Sequence, residues 1–433
     1  MIIGFVSEYF PPFAPGGAEW STLYLAQSLA RSERVIVLTP NYGAPPQETM
    51  DGVLVERFAF PVKLRSPQAM APYGWHANLV FYLYATALIA LAVKKHRLDI
   101  LHVQHKHTLV GTVLAGMITH TPVVASLRDG MVLCRYGMCL GDIEVHPDCD
   151  WRTYTRCLSD YLALYQPGLR PTQRLLRRVM ALYHRLDSHL KRLALRRADA
   201  IVTNSLKLRQ VYASRGIQSE IFVTLDNPAP ALADHPPAPG KHGDEIHILY
   251  AGKLSWGKGV HLLIEALPSV YRTLTPAKPR VTIAGQGPLE GQLRQRVVAL
   301  GLSGHVHFAG QIAHTALQEL YAQVDLVVVP SIVQEGFGRV ALEALLSGTP
   351  VVVSNRGGLP EIVEHGVTGY VVEPEPEAIA SAVTRALQTT HLRQQLREAW
   401  PALRSRFGVE AAERYRQLYR QVLNRRSGQE QPL

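Results

Sequence analysis

Two glutamates, Glu335 and Glu343, have the type and spacing most suggestive of chemistry. They follow the apolar run 325–329, which is typical of a buried strand, and the pattern predicts a helix beginning near Gly338. Glu335 then lies on the loop and Glu343 about two turns further on, so the two reach different parts of one ligand. Carboxylates bind sugar diols and a helix N-terminus attracts anions, which together favour a ligand such as a nucleoside diphosphate sugar.

Two ordinary solvated glutamates are the alternative interpretation. The glycines on both sides of Phe337 and the run Gly-Gly-Leu-Pro-Glu at 357–361 make it less attractive. A second loop, at 252–259, follows a predicted strand and carries Lys253 and Lys258 between glycines. Two cations above a diphosphate stabilise the charge that develops as it leaves, although lysines on a surface turn would give the same pattern.

On these residues the chain resembles the retaining glycosyltransferases of family 4, which have the two-domain GT-B fold. The family has a Glu-x7-Glu motif that Glu335 and Glu343 match. The resemblance implies that Glu335 lies beside the donor sugar and that Glu343 holds the ribose. It also implies that Lys253 and Lys258 contact the diphosphate. The family usually has arginine at the first of these positions, and lysine keeps the charge but loses the bidentate geometry.

The resemblance implies further substrate contacts in both halves of the chain. Two glycine loops that would face the donor contain Gly16 and Gly17, and Gly285 and Gly287. Gln311 belongs to the loop that would meet the base. We add Arg128 and Asp129, which would face the acceptor. The beginning of the predicted helix contributes the last group, Phe337, Gly338, Arg339 and Val340.

Histidines end a predicted strand in the first half. The family usually has His-x-His here, but its second histidine falls on Gln104, so His105 or His107 is the catalytic candidate and His105 is preferred. Together with His102 these side chains could also bind a metal, but no carboxylate partner is evident. An ordinary hydrogen-bonding histidine is the remaining alternative.

Short apolar strands, among them those predicted at 200–203, 247–251, 280–284 and 351–354, alternate with helices. This alternation predicts an α/β chain with two Rossmann-like, doubly wound parallel sheets facing a cleft. We expect an N-terminal acceptor-side domain at 1–227, a proline-rich linker at 228–243 and a C-terminal nucleotide-sugar domain at 244–403. The family resemblance implies that the amphipathic helix predicted at 404–423 crosses back to complete the first domain.

The composition of the 433 residues, 47% hydrophobic and 18% charged, fits large cores and not a disordered chain. No signal peptide is visible, so we expect a cytoplasmic location, with attachment to the inner face of the cell membrane as a possibility. The apolar run 79–93 is short for a membrane span and is predicted to be a buried helix.

The net charge of +10 is concentrated between residues 151 and 198, where eleven basic residues face only Asp160 and Asp187. Leucines are interleaved at helical spacing. Residues 170–197 are therefore predicted to contact an anionic membrane surface or a lipid-diphosphate acceptor. The alternative is that they form a solvated charged face on a packed helix. No nucleic-acid-binding motif is present, so nucleic acid is not expected as a partner.

All four cysteines, Cys134, Cys139, Cys149 and Cys157, lie within 24 residues. Their spacing is not that of a standard zinc site, so reduced thiols or a disulfide are preferred to a structural metal.

Together these observations and the resemblance lead us to expect a retaining transferase that moves sugar from a nucleotide sugar to a saccharide or lipid-linked hydroxyl, in surface polysaccharide or glycolipid synthesis. We expect no required cofactor or metal. An epimerase, a glycogen-synthase-like enzyme and a non-catalytic nucleotide-sugar-binding subunit remain alternatives.

Overall fold

Two parallel sheets, joined by a segment after residue 224, form the frame of the computed structural model. The structure describes residues 1–135, 149–166, 168–230, 246–277, 279–389 and 391–428. The predicted class, two doubly wound α/β domains, is confirmed. Most of the predicted linker lies outside the described residues, so the domain boundaries stay a prediction.

The first sheet has eight strands in the order β3-β4-β2-β1-β5-β6-β7-β8, all parallel except β3. Their bounds are β1 Ile2–Val6, β2 Arg34–Pro40, β3 Gln47–Met50, β4 Val53–Phe58, β5 Ile100–Val103, β6 Val123–Leu127, β7 Ala200–Thr203 and β8 Phe222–Thr224. Strand order reverses between β1 and β5, and ligands bind beyond such a switch point.

Helices cover both faces of this sheet. They are α1 Gly17–Ala30, α2 Leu79–His96, α3 Leu109–Thr119, α4 Trp151–Tyr165, α5 Pro171–Leu195 and α6 Leu206–Ser214. One core lies under α2 and α3, and a second lies under α1 on the opposite face.

The second sheet is wholly parallel and has the order β11-β10-β9-β12-β13-β14. Its strands are β9 His247–Ala251, β10 Arg280–Ala284, β11 Val306–Gly310, β12 Leu326–Val329, β13 Val351–Ser354 and β14 Gly369–Val372. Its helices are α7 Val260–Leu274, α8 Glu290–Ala299, α9 His314–Gln323, α10 Arg339–Leu346, α11 Pro376–Gln388 and α12 Leu392–Phe407. Here the switch point lies between β9 and β12.

The last helix, α13 Val409–Arg426, crosses back to the first domain, as predicted. Its apolar residues join the core beside α1, and the hydroxyl of Tyr419 lies 2.7 Å from His102 Nδ1. The single helix predicted at 404–423 begins too early, because the helical path is interrupted at Gly408, between the end of α12 and the beginning of α13. A Cβ on that residue would lie 2.3 Å from the Arg404 carbonyl oxygen.

The prediction of a buried helix at 79–93 is confirmed for its inner face only. Among the described residues α2 is the one helix long and apolar enough to cross a membrane, by length and composition alone. Its inner face, with Phe81, Tyr82 and Ile89, packs into the core, whereas Val80 and Leu83 are 77% and 66% exposed. It is therefore a helix of the first domain with an apolar outer face.

The cysteine cluster can be followed only in part, because Cys139 lies outside the described residues. Cys134 and Cys149 pack against the small core of Tyr154, Leu158 and Leu162. No group of three or more histidine, cysteine or carboxylate side chains is arranged for a metal in the part of the chain that the structure describes. The sequence around Cys149 is Asp-Cys-Asp, and its second acid, Asp150, caps α4 by accepting a hydrogen bond from the Thr153 N–H at 2.7 Å.

Candidate active site

The loops that follow β9 and β12 bring Lys258 and Glu335 together at the switch point of the second sheet. Lys258 Nζ donates to Glu335 Oε1 at 2.5 Å, and Ser331 Oγ donates to the same oxygen at 2.5 Å. Burial raises the pKa of Glu335, but the Lys258 ammonium and the Ser331 hydroxyl outweigh it, so the pKa lies below its usual value. The carboxylate is therefore charged and held in one orientation.

Glu343 lies in the second turn of α10 and is buried, with its side chain held by Arg339. The Arg339 Nε donates to Glu343 Oε1 at 2.7 Å, and its Nη1 donates to Ser21 Oγ of α1 at 2.8 Å. The guanidinium also lies 4.7 Å from the centre of the Tyr24 ring. Arg339 thus connects the two domains beside the helix N-terminus, and Glu335 and Glu343 occupy separate positions as predicted from their spacing.

The glycines of the donor side let three loops pack closely. A Cβ on Gly285 would lie 1.9 Å from the Gly252 carbonyl oxygen, and one on Gly287 would lie 2.3 Å from that of Leu254. A Cβ on Gly357 would meet the Glu335 carbonyl oxygen at 1.9 Å. These contacts explain the glycines by loop packing, while their predicted contact with the nucleotide stays a prediction.

The beginning of α10 explains two further predicted residues. Gly338 has φ of 101°, a left-handed conformation that glycine adopts without strain, and it precedes the first helical residue. Phe337 was expected to touch substrate, but its side chain is buried and packs on Phe407. Burial in the core removes the ring from the cleft, so a substrate contact at Phe337 would have to come from its backbone and stays a prediction. Val340 is half-buried in the first turn.

Two predicted donor contacts are exposed in the structure. Lys253 lies on the loop after β9, five residues before Lys258, and Gln311 follows β11. Neither position contradicts its predicted contact with the donor. The backbone N–H of Gly285 donates to the Gly310 carbonyl oxygen at 2.6 Å, so the loop after β11, predicted to bind the base, adjoins the glycine loop after β10.

A cavity of about 210 Å³ lies at the switch point of the first sheet. Gly16, Gly17, His105, Arg128 and Asp129 all line it, so the structure brings these five predicted residues together. A Cβ on Gly17 would lie 3.0 Å from the Arg339 side chain, and one on Gly336 would lie 2.0 Å from the Arg128 carbonyl oxygen. The cavity therefore adjoins the donor loops across the cleft.

His105 is oriented from two sides in this cavity. Its Nδ1 lies 2.9 Å from Ser7 Oγ, and its Nε2 lies 3.2 Å from Glu19 Oε1, a contact closer to an ion pair than to a directed hydrogen bond. The carboxylate of Glu19 also accepts from the Gly16 N–H at 2.9 Å. Burial raises the pKa of Glu19, but His105 and the backbone N–H outweigh it, so the pKa lies below its usual value.

His107 does not reach the cavity, so its predicted catalytic role is not supported by the structure. The ring is buried, accepts from Lys191 Nζ at 3.1 Å and stacks edge-on against Tyr73. Burial and the Lys191 ammonium hold the pKa of His107 well below its usual value. The turn after β5 explains the difference, because it directs His105 and Lys106 to the cavity and packs His107 against Tyr73 instead.

The acceptor-side residues form a hydrogen-bonded group. Arg128 donates to Asn227 at 2.8 Å and to Gln104, while Lys106 Nζ lies 3.2 Å from the Asp129 carboxylate. Burial raises the pKa of Asp129, but the Lys106 ammonium and the Met131 N–H outweigh this effect, so the pKa lies below its usual value. Gln104 Nε2 and Arg128 Nε are buried and have no partner among the described residues. Such atoms are costly unless a ligand satisfies them.

Sequence reasoning missed several residues that complete this site. Glu19, Gln104, Lys106 and Ser331 were not predicted to belong to it, although each lies between one and four residues from one that was. The Gly-Gly-Ala-Glu run at 16–19 could have identified Glu19, because an acid three residues after a helix cap often binds the cap's N–H. Ser331 has no comparable signal.

Comparisons with known proteins agree with this geometry. Residues 15–228 match the model of Glycosyltransferase Family 4, and residues 233–401 match that of Glycosyl transferases group 1. An uncharacterized glycosyltransferase of Methanocaldococcus jannaschii is 41% identical over 158 residues, which are 36% of this chain and 40% of that protein. A glycogen synthase of Mycobacterium tuberculosis is 40% identical over 140 residues, 32% of this chain and 33% of that protein. The chain thus matches less than half the length of these curated relatives.

Among solved structures, HepE of Anabaena in complex with UDP and glucose superposes with a TM-score of 0.68. The alignment covers 97% of this chain and all of that one at 22% identity, a likeness of fold. The two family models divide the chain into the same two halves as its two sheets. With both halves matched and the GT-B fold shared, the chain belongs to glycosyltransferase family 4.

Proposed function

We propose that the protein transfers a sugar from a nucleoside diphosphate sugar to an acceptor hydroxyl, with retention of the anomeric configuration. One observation supports this most directly, the contact of Lys258 with Glu335 at the switch point, close to the beginning of α10. A cation, a carboxylate and a helix N-terminus at one point match the parts of such a donor, namely its diphosphate and its sugar hydroxyls.

On binding, the donor diphosphate replaces Glu335 as the partner of Lys258. The ammonium, with Lys253 and the N–H groups at the start of α10, then neutralises the charge of the leaving group. The released Glu335 carboxylate accepts hydrogen bonds from the sugar, and Glu343 binds the ribose. This arrangement needs no metal or other cofactor.

Transfer takes place on the front face of the sugar. The bond from the anomeric carbon to the leaving phosphate oxygen breaks, and a bond to the acceptor oxygen forms on the same side. The leaving phosphate takes the acceptor proton. The cavity with His105, Arg128 and Asp129 holds the acceptor, and the polar atoms of Gln104 and Arg128 that lack a partner receive its hydroxyls.

We further propose a saccharide or lipid-linked acceptor in surface polysaccharide or glycolipid synthesis, at the inner face of the cell membrane. Support comes from the eight arginines of 170–197, of which five are exposed and three are half-buried, on α5 and at its two ends. The anionic cytoplasmic leaflet attracts such segments by about 1 kcal/mol per basic residue.

A donor screen followed by a transfer assay tests this function. Nucleoside diphosphate sugars are first ranked by the rise they cause in the unfolding temperature, and the best is assayed with soluble and lipid-linked acceptors. Glu335→Gln should transfer roughly a hundredfold more slowly than the native protein. Glu290→Gln, a half-exposed carboxylate of α8 in the same domain that pairs with Arg294, is the matched control and should be unaffected.

Two results would overturn the proposal. In the first, no nucleoside diphosphate sugar stabilises the protein. In the second, Glu335→Gln is as active as the control. Conversion of the donor sugar in the absence of any acceptor would favour the epimerase alternative instead.

A further inference from the structure

The outer face of α5 is a continuous apolar surface. We define the apolar strip as five side chains that are 44% to 64% exposed, Leu175, Val179, Leu182, Leu186 and Leu193. At 100° per residue they fall within an arc of about 60°. A strip this long on one helix is unusual for a surface in contact with water.

The strip is not a core face that lacks its partner, because the opposite side of α5 is already packed. Asp187 accepts from Tyr73 at 2.8 Å and from Tyr82, and it pairs with Lys191 at 2.7 Å. These contacts fix the rotation of the helix about its axis. The strip is therefore held facing outwards by buried hydrogen bonds on the inner face.

The apolar surface continues onto the neighbouring helix. Tyr183 of α5 donates to the Ala77 carbonyl oxygen just before α2, which joins the two elements. From there Leu79, Val80 and Leu83 extend the surface with exposures of 57%, 77% and 66%. Two helices thus present one apolar side.

Arginines border the strip along one edge, and no exposed acid of α5 balances them. The edge is formed at helical spacing by Arg174, Arg178, Arg185, Arg192 and Arg196. The only acid of α5, Asp187, is buried and paired. An apolar face bordered by cations matches the boundary between anionic headgroups and acyl chains.

We propose that the apolar strip and the outer face of α2 insert into the acyl boundary of an anionic membrane, while the bordering arginines contact the headgroups. This rests on the proposed function at a membrane and deepens it, since arginines alone would hold the protein only on the surface. A second copy of the chain is a poorer occupant, because a symmetric contact would bring both rows of arginines together. A transmembrane α2 conflicts with the packing of its inner face on the core.

Salt separates insertion from electrostatic attachment. At about 1 M salt the screening length is about 3 Å, so attraction through arginine is largely lost while apolar insertion persists. Vesicles of phosphatidylglycerol with phosphatidylcholine are sedimented with the full chain at low and at high salt. The native protein should stay partly bound at high salt.

The variant Leu182→Gln/Leu186→Gln removes two apolar side chains and no charge. Its partitioning at high salt should fall by about tenfold or more, on the scale of burying such side chains. Val298→Gln is the matched control, an equally exposed apolar residue at the end of α8 in the other domain, and should bind as the native protein does. Donor turnover with a soluble acceptor is measured in parallel and should be equal in all three proteins.

Equal binding of the double variant and the native protein at high salt would overturn the proposal and leave electrostatic attachment. The proposal would also be overturned if the native protein did not bind the vesicles but formed a dimer, and the Leu182→Gln/Leu186→Gln variant were monomeric. Failure of donor turnover in the native protein, with vesicle binding intact, would contradict the proposed function and not the insertion.

Discussion

At the scale of single residues, the contact between Lys258 and Glu335 decides how the donor site works. In this structure each neutralises the other, and Ser331 fixes the carboxylate. The donor must therefore compete with an internal ion pair. The side chain of Lys258 is 39% exposed and that of Glu335 15%, so the lysine can turn towards a ligand without exposing the core.

Replacing this lysine tests the proposed neutralisation of the diphosphate. Lys258→Ala should keep the fold and lower turnover by roughly two orders of magnitude, the usual loss for one preorganised charge. Initial rates and thermal unfolding on the same preparation measure this. A folded variant with unchanged rate would show that the diphosphate lies elsewhere, while Lys258→Arg should recover part of the activity because it keeps the charge.

The two glutamates should differ in what they bind. Glu343→Gln should weaken binding of the bare nucleoside diphosphate, both by the lost ribose contact and because Arg339 loses its charged partner. Glu335→Gln should keep or raise that affinity, because it removes the charge that competes for Lys258, and it should lose activity because the proposed contact with the sugar is lost. Calorimetry with the nucleoside diphosphate distinguishes them, and equal losses of affinity would contradict this division.

At the scale of elements, helix ends connect the two domains. The carboxylate of Glu361, on the short turn after β13, accepts from the N–H groups of Leu206 and Lys207 at 2.7 and 2.9 Å. These are the first two residues of α6 in the other domain. A negative charge at a helix N-terminus is favourable, so this contact helps to hold the two domains together.

Removing that charge should loosen the contact between the domains. Glu361→Gln should weaken the contact by about 1 kcal/mol, the scale of a helix cap. Faster hydrogen exchange at the amides of Leu206 and Lys207 reports the change. Glu364→Gln, an exposed carboxylate three residues later, is the control. Identical exchange rates in the two variants would mean that other contacts hold the domains together.

At the scale of the whole molecule, buried histidines make stability depend on acidity. Burial and the nearby Arg135 lower the pKa of His184 to about 4, and burial lowers the pKa of His76, His261 and His314 in the same direction. Between pH 6.5 and 4 the unfolded chain binds more protons than the folded one, so stability falls as the pH falls through this window.

For His184 the difference corresponds to at most roughly 3 kcal/mol. Thermal unfolding measured between pH 7 and 4 should show a falling midpoint, and His184→Gln should reduce that fall. His189→Gln, an exposed histidine of the same helix, should not change the profile. A midpoint that is flat across the window would contradict the assignment of neutral buried histidines.

The sequence alone determined the strands that build both sheets and the donor loops between them. The strands predicted at 200–203, 247–251, 280–284 and 351–354 agree residue for residue with β7, β9, β10 and β13. Their apolar runs are buried on both faces, and such a run leaves little freedom in position. The edge strands β3, β8 and β14 were missed because they are short and carry weaker apolar patterns, and the inner strand β4 was missed as well.

Only the tertiary structure decided which side chains meet. It placed His105 on the lining of the cavity and His107 away from it, and it buried Phe337 in a core. It also added Glu19 and Ser331, and it turned the basic segment into a helix with one apolar side and one buried side. Local spacing fixes which face of an element a residue occupies. The side chain that it meets there can be distant in the sequence, as Ser21 is from Arg339. The packing of the two domains therefore decides such contacts.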